Sequence, residues 1–283
     1  MNVAGRTAVI TGGASGIGLA TARALAGRGA RLVLADVEEG PLDAAVAALG
    51  DGGAEVLGVR CDVASLPDVE RLRDEALARF GSVHVVFNNA GVGGGPLLGA
   101  PIEAWRWVRS VNLDGVVHGL HVFLPLLLDQ DEGHVVNTAS LAGLGGVPGM
   151  GPYCATKFAV VGLSESLFYD LAARRSRVGV SVLCPGFVRT RIAESSRNMP
   201  ADLRALQPAE PASSALADAA AAAVAAGIEP DVVADHVAGA IERDEFWILP
   251  HRHVAVRTTE QRLGWLQGGA PAGIDLQKAA RGG

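Results

Sequence analysis

The 283 residues include 49% hydrophobic side chains and carry a formal net charge of −6. That is enough apolar material for one large core, and the wrong sign for a phosphate-rich partner, so nucleic acid is excluded. Cys61, Cys154 and Cys184 are odd in number and lack metal-ligand spacing, so neither a disulfide framework nor a metal centre is expected and a reducing, cytoplasmic compartment is the default. The first residues lead straight into an apolar strand, leaving no room for a signal peptide. The longest apolar stretch, Val116–Leu128, is interrupted by His118, His121 and Pro125 and is too short to span a bilayer. No membrane partner is expected.

In chain order, Thr7–Ile10 is a short apolar strand that ends in the cluster Thr11-Gly12-Gly13-Ala14-Ser15-Gly16-Ile17-Gly18. A helix over Leu19–Arg28 and a second strand from Arg31 to Ala35 follow, and Asp36 closes that strand. Strand, glycine turn, helix, strand, acid is the layout of a dinucleotide-binding unit. Gly12 and Gly16 allow a tight turn and close approach to a pyrophosphate, Gly18 lets the helix pack on the sheet, and the helix N-terminus favours an anion. The spacing is G-x-x-x-G-x-G, and glycine turns also occur without ligands. A carboxylate at Asp36 accepts from both ribose hydroxyls and repels a 2′-phosphate; its alternative reading is a strand-terminating turn residue.

The alternation continues. A helix over Pro41–Leu49 leads to a strand at Glu55–Arg60 and then Cys61-Asp62-Val63. Helix Leu66–Phe80 leads to strand Val83–Phe87 and then Asn88-Asn89-Ala90-Gly91. A long helix, about Ile102–Leu127, precedes strand His134–Ser140, and a helix opening at Tyr153 runs to about Arg174. Strand Val178–Leu183 ends at Cys184-Pro185-Gly186. Strands separated by single helices require a doubly wound α/β Rossmann fold: a parallel sheet of about seven strands with helices on both faces, and ligands beyond the strands' carboxyl ends. Every residue singled out lies at such an end.

Tyr153 and Lys157 stand one helical turn apart on one face. A phenol with its ordinary pKa of about 10 is a poor acid or base at neutral pH, and a neighbouring ammonium lowers that value. Alone, the pair also reads as a half-buried tyrosine with a solvated lysine.

Taken together, these motifs resemble the short-chain dehydrogenase/reductase (SDR) family over roughly Gly5–Thr190. The Thr11–Gly18 segment resembles its cofactor turn and Asn88–Gly91 its sheet-stabilising motif. Asn112, Ser140, Tyr153 and Lys157 fall at its catalytic tetrad, and Pro185-Gly186-Phe187-Val188-Arg189-Thr190 resembles the segment that caps the nicotinamide. The resemblance implies a secondary alcohol/carbonyl oxidoreductase with Tyr153 as acid/base, Lys157 lowering its pKa and holding the nicotinamide ribose, and Ser140 holding the substrate oxygen. Asn112 would kink its helix and hold a water. Gly12, Ser15, Gly16, Ile17 and Gly18 would carry the pyrophosphate. Asp36, Asp62 and Val63 would hold the adenosine with Asn89, Ala90 and Gly91; Pro185, Gly186, Val188 and Thr190 would hold the nicotinamide. Family members that prefer NADP carry a basic residue where this chain has Ser15 or Val37, so NAD is expected over NADP.

One domain over 1–283 is expected. From Arg191 to about Ile228, turn-prone Met199-Pro200 and Gln207-Pro208 and an alanine-rich Ala212–Ala226 match the family's substrate lid. A plain surface helical hairpin is the alternative. Helix Pro230–Arg243, strand Phe246–Leu249 and helix Val254–Gln267 follow, then a loose tail over 268–283. His251-Arg252-His253 reads as a solvated helix start. The C-terminal extension departs from tetrameric relatives, so a homodimer through the long helices competes with a homotetramer. The loop Gly143–Val147 hints at a hydrophobic small-molecule alcohol or ketone. A cofactor-occupied redox sensor without turnover, and epimerisation through transient oxidation, stay open beside the dehydrogenase reading.

Overall fold

The computed structural model describes residues 1–205 and 211–269. Seven strands form one sheet: β1 (Thr7–Thr11), β2 (Arg31–Asp36), β3 (Val56–Arg60), β4 (Val85–Asn88), β5 (Gly133–Thr138), β6 (Val178–Leu183) and β7 (Trp247–Ile248). All pairings are parallel, in the order β3-β2-β1-β4-β5-β6-β7. The winding direction reverses between β1 and β4, whose register sets Ile10 against Phe87. In an open α/β sheet that switch point leaves a crevice beyond the strand ends.

The helices are α1 (Gly16–Ala26), α2 (Glu39–Asp51), α3 (Leu66–Phe80), α4 (Ile102–Arg109), α5 (Gly115–Gln130), α6 (Gly151–Ala173), α7 (Ala201–Ala205), α8 (Pro211–Ala225), α9 (Pro230–Arg243) and α10 (Arg252–Leu266). Because strand side chains alternate, the sheet fills two apolar layers. Ile10, Leu32, Leu34 and Phe87 pack with Leu25 of α1, Leu42 of α2 and Val237 and Ile241 of α9. Val9, Val33, Val86 and Val135 pack with Leu72 of α3, Phe123 and Leu127 of α5 and Leu171 of α6.

Two departures from the expected pattern matter for the site. Helix α1 begins at Gly16 rather than Leu19, with extended Ser15 as its N-cap and no side-chain cap hydrogen bond. Its first N–H groups therefore stand at the mouth of the crevice. The expected long helix is a continuous helical run, Ile102–Gln130, in which a π turn over Ser110–Asp114 joins α4 to α5. At 29 residues this run is long and apolar enough to cross a membrane by length and composition, unlike Val116–Leu128 alone. In the fold it is a core helix, with Val116, Val122, Phe123 and Leu127 buried. The tail expected over 268–283 lies, from Ala270 onward, outside the described residues, as does Gln207-Pro208.

Candidate active site

The cofactor side is built around Thr11 at the end of β1. Its hydroxyl accepts from the N–H groups of Asn89 (2.9 Å) and Ala90 (3.1 Å) and donates to the Phe87 carbonyl at 3.3 Å. Asn89 returns the bond, its Nδ2 donating to the Thr11 carbonyl at 3.0 Å. Mutually satisfied and partly buried, these groups lock the ends of β1 and β4 together. Gly12 follows at φ +62°, and a Cβ there would lie 2.9 Å from the Ala90 Cα. A Cβ on Gly18 would lie 2.2 Å from the Gly12 carbonyl oxygen. Gly18 thus lets α1 sit directly on the turn, as the glycine spacing predicts.

Asp36 ends β2 with each carboxylate oxygen occupied: one accepts from Ala14 N–H and the other from Glu38 N–H, both at 3.1 Å. Burial raises its pKa, partly offset by those N–H groups. Past β3, the Asp62 Oδ1 accepts from Ala64 N–H at 2.9 Å, and His118 of α5 donates from Nδ1 to the Val63 carbonyl at 2.8 Å. The ends of β2 and β3 are thus held by their own short turns.

Asn112 lies inside the π turn and is fully buried. Its Oδ1 accepts from Val92 N–H (2.8 Å) and its Nδ2 donates to the Val92 carbonyl (2.9 Å). The extra residue of a π turn re-aims a side chain, and here it pairs both amide groups with the loop after β4. Asn112 and Gly18 stand behind the cavity wall rather than on it.

Ser140 leaves β5 and caps the 3₁₀ turn Leu141–Gly143, its Oγ accepting from Ala142 N–H at 3.1 Å. Helix α6, started by Pro152 in its first turn, presents Tyr153 and Lys157 beside it. The Lys157 Nζ donates to the Thr138 carbonyl at 2.8 Å and lies 5.5 Å from the Tyr153 ring centroid. Burial dominates both groups. It pushes the Tyr153 phenol up to about 12, against a hydrogen bond from Ser140, and the Lys157 amine down to about 8. The expected lowering of the phenol by Lys157 is not among the causes acting on it.

Beyond β6, the Pro185 carbonyl accepts from Leu141 N–H at 2.9 Å, and Val188 pairs with Ile228 in an isolated parallel bridge. Between those two residues the chain makes an excursion through a 3₁₀ segment, Ile192–Asn198, then α7 and α8. Three contacts seat its first half: Ser195 Oγ accepts from Gly93 N–H at 2.8 Å, and Arg197 pairs with both oxygens of Glu38 at 2.9 and 2.6 Å.

One cavity of about 1590 Å³ joins these parts. Its walls include Gly12, Ser15, Gly16, Ile17, Asp36, Asp62 and Val63, then Asn89, Ala90 and Gly91. Ser140, Tyr153, Lys157, Pro185, Gly186, Val188 and Thr190 complete the predicted set on it. The far end is mostly apolar: Ala104, Trp107 and Val108 of α4, Met150, Phe187, and Ala220 and Val224 of α8. Helix α10 adds Val254, Thr258 and Gln261. Sequence reasoning missed Glu38, Ser195, Arg197 and His251; the last is no plain solvated helix start, because Gly186 N–H donates to its Nδ1 at 3.1 Å. No local pattern signals these residues, since each partner is remote in the chain.

The sequence model described as "short chain dehydrogenase" matches residues 6–201. A CLA biosynthesis dehydrogenase/reductase of Lactiplantibacillus plantarum is 34% identical over 249 residues, 86% of each chain. A C alpha-dehydrogenase of Sphingobium sp. is 32% identical, covering 88% of this chain and 81% of its own. The crystal structure of a short-chain dehydrogenase/reductase from Burkholderia phymatum, in complex with NAD, superposes with a TM-score of 0.93 at 43% identity, covering 96% of this chain and 98% of its own. With the sheet order, the glycine turn and the strand-end cavity described above, this makes the chain a member of the short-chain dehydrogenase/reductase family of oxidoreductases.

Proposed function

We propose that the protein interconverts a secondary alcohol and its ketone on an apolar small molecule, with NAD as the hydride partner. The observation that carries this reading is that Ser140, Tyr153 and Lys157 open onto the same cavity as the glycine turn and Asp36. The NAD in the Burkholderia phymatum relative supports the cofactor, and the dehydrogenase names of the relatives support chemistry at CH–OH.

The residues fit a dinucleotide. The backbone turn at Gly12 and the uncapped start of α1 suit a pyrophosphate, and Asp36 suits an adenosine ribose. Bound there, the nicotinamide supplies the two-electron hydride exchange. The protein's part is the proton and the substrate oxygen. Ser140 accepts an N–H at its oxygen, and its hydroxyl proton, on the Pro185 carbonyl at 3.4 Å, would turn to donate to the substrate oxygen. Tyr153 takes the alcohol proton as the carbonyl forms and returns it in the reverse direction. Lys157, fixed on the Thr138 carbonyl, keeps N–H donors for a ribose. Asn112 is a positioning residue that holds the Val92 loop. Because burial holds the phenol near 12, alcohol oxidation rises towards alkaline pH.

Asp36 and Glu38 set two carboxylates at the ribose end; Arg197, with Arg191 further off, acts on Glu38, while Asp36 accepts only from backbone N–H groups. A 2′-phosphate meets net repulsion there, which favours NAD over NADP. Exposed Val117 of α5 and Phe168 and Tyr169 of α6 support a homodimer through these helices; light scattering at micromolar concentration tests it.

The decisive experiment follows NADH formation at alkaline pH with secondary alcohols, steroids, polyols and hydroxyacyl compounds, using NAD⁺ and NADP⁺ side by side. Turnover with NAD⁺ that Tyr153→Phe abolishes is the expected result. Equal or better turnover with NADP⁺ at low concentration overturns the cofactor assignment, and turnover that survives in Tyr153→Phe overturns the mechanism.

A further inference from the structure

A single peptide group, between Pro185 and Gly186, is gripped at both ends. Its carbonyl accepts from Leu141 N–H at 2.9 Å and from the Ser140 hydroxyl at 3.4 Å. Its N–H donates to Nδ1 of His251 at 3.1 Å. The imidazole reaches this N–H because position 186 has no side chain: a Cβ there would lie 3.1 Å from two atoms of the ring. In a planar peptide, donation at one end strengthens acceptance at the other, so His251, the peptide and Ser140 form one polarised path. His251 also lines the cavity and serves as N-cap of α10, so it ties the C-terminal helix to the strand end.

The hydrogen bond dictates the state of the ring. A backbone N–H only donates, so Nδ1 carries no proton and the neutral imidazole holds its proton on Nε2. We infer that His251 is a positioning residue: neutral, it clamps the Pro185–Gly186 peptide against Ser140 and so fixes the turn on which the nicotinamide end of the cofactor rests. This rests on the nicotinamide reading given above. It adds a residue outside the Ser140, Tyr153 and Lys157 set, supplied by the segment that sequence reasoning left without a role.

Protonating Nδ1 turns the acceptor into a donor facing a donor, and the clamp opens. The ionisable groups around the ring are His253 in the first turn of α10 and His236 of α9, while Leu141, Pro185 and Gly186 bring no charge. Burial first, then those two histidines, lower the His251 pKa from 6.5. The clamp is therefore complete at and above neutral pH and is lost only as pH falls below the ordinary histidine range.

The test compares NADH with ADP-ribose, which lacks the nicotinamide, by titration calorimetry on the full chain at pH 8 and pH 5.5. At pH 8, His251→Leu weakens NADH about five- to tenfold, as loss of one hydrogen bond requires, and ADP-ribose less than about twofold. His251→Asn, whose Oδ1 stands where Nδ1 stood, restores NADH to within about twofold of wild type. Acidification weakens NADH relative to ADP-ribose in the wild type and not in His251→Asn. Thermal unfolding of both variants checks that they fold. Wild-type NADH affinity in His251→Leu overturns the clamp, as does an asparagine variant that fails like leucine or keeps the acid loss. If the wild type binds neither ligand, the dinucleotide reading itself falls, and the clamp with it.

Discussion

The two ends of the cavity are held by different forces. At the cofactor end, Thr11, Asn89 and Asn112 fix the strand ends through paired, buried hydrogen bonds, and Gly12 and Gly18 leave no space to spare. At the far end, the excursion after Arg191 offers small apolar side chains, Ala220 and Val224 among them, and carries partly exposed ion pairs such as Arg197–Glu38 beside the Ser195–Gly93 hydrogen bond. Buried hydrogen-bonded groups tolerate one geometry, because each unmade bond costs about 1–3 kcal/mol. Alanine-lined walls and exposed ion pairs cost little to rearrange. On the proposed function, a fixed seat for the cofactor is paired with an adaptable wall for the substrate.

That contrast can be broken in four places. The largest effect is expected at Tyr153: the Tyr153→Phe variant loses about a thousandfold in kcat while NADH affinity in a titration stays within about threefold, since the hydroxyl moves a proton and does not hold the seat. A large loss of NADH affinity would merge the two ends into one unit. Next, Gly18→Ala drives a Cβ into the Gly12 carbonyl and costs about 1–3 kcal/mol of stability together with NADH binding, whereas Ala220→Val in α8 changes stability by less than about 0.5 kcal/mol and moves only the substrate KM. Denaturant melts and steady-state kinetics on the two variants test the contrast directly.

The third prediction concerns acid. His134 is buried in β5 with Nε2 on the Ser181 hydroxyl at 2.7 Å, and burial pushes its pKa down to about 3. The unfolded chain binds this proton below about 6.5 and the folded chain does not. Stability is therefore full above pH 6.5 and falls as pH drops towards 3, by about 2 kcal/mol between pH 7 and pH 5 from this residue alone. Urea melts of wild type and His134→Gln check it; the variant should lose that part of the slope. The smallest effect belongs to Arg197→Ala. The pair with Glu38 is a quarter exposed, so its loss weakens NADH about two- to fivefold and leaves the melting temperature within about 2 °C.

Much of the cofactor end was legible because its signals are local. Helix α3 begins and ends as predicted: Ser65 accepts from Asp68 N–H, Pro67 sits in the first turn, and Gly81 closes it at φ +78°. Helix α9 likewise matches Pro230–Arg243, started by its proline. The glycine turn and the Tyr153–Lys157 spacing are each read within a few residues, and Asp36 from its place at the end of the next strand. What was not legible depends on distant partners. The helix irregularity expected at Asn112 is present as a π turn, but its pairing with Val92 could not be read, and the place of Arg197 follows from Glu38, remote in the chain. His251 looked like a solvated residue because its acceptor role exists only once β7 has brought it beside Gly186. The pKa of Tyr153 departs from expectation for the same reason: spacing gives the neighbour, while depth of burial comes from the whole fold.

The bridge between Val188 and Ile228 has a consequence for how such a protein diversifies. Arg189 N–H donates to the Ile228 carbonyl at 2.9 Å and Ile228 N–H to the Phe187 carbonyl at 3.2 Å, so the intervening chain enters and leaves the fold through one narrow neck. A segment spliced in at a single point transmits little of its length or composition to the sheet, because loop-closure entropy grows only slowly with length. On the proposed function, a different insert on the same neck would redraw the substrate wall, provided that Thr190 and the Arg197–Glu38 pair at the cofactor end are kept.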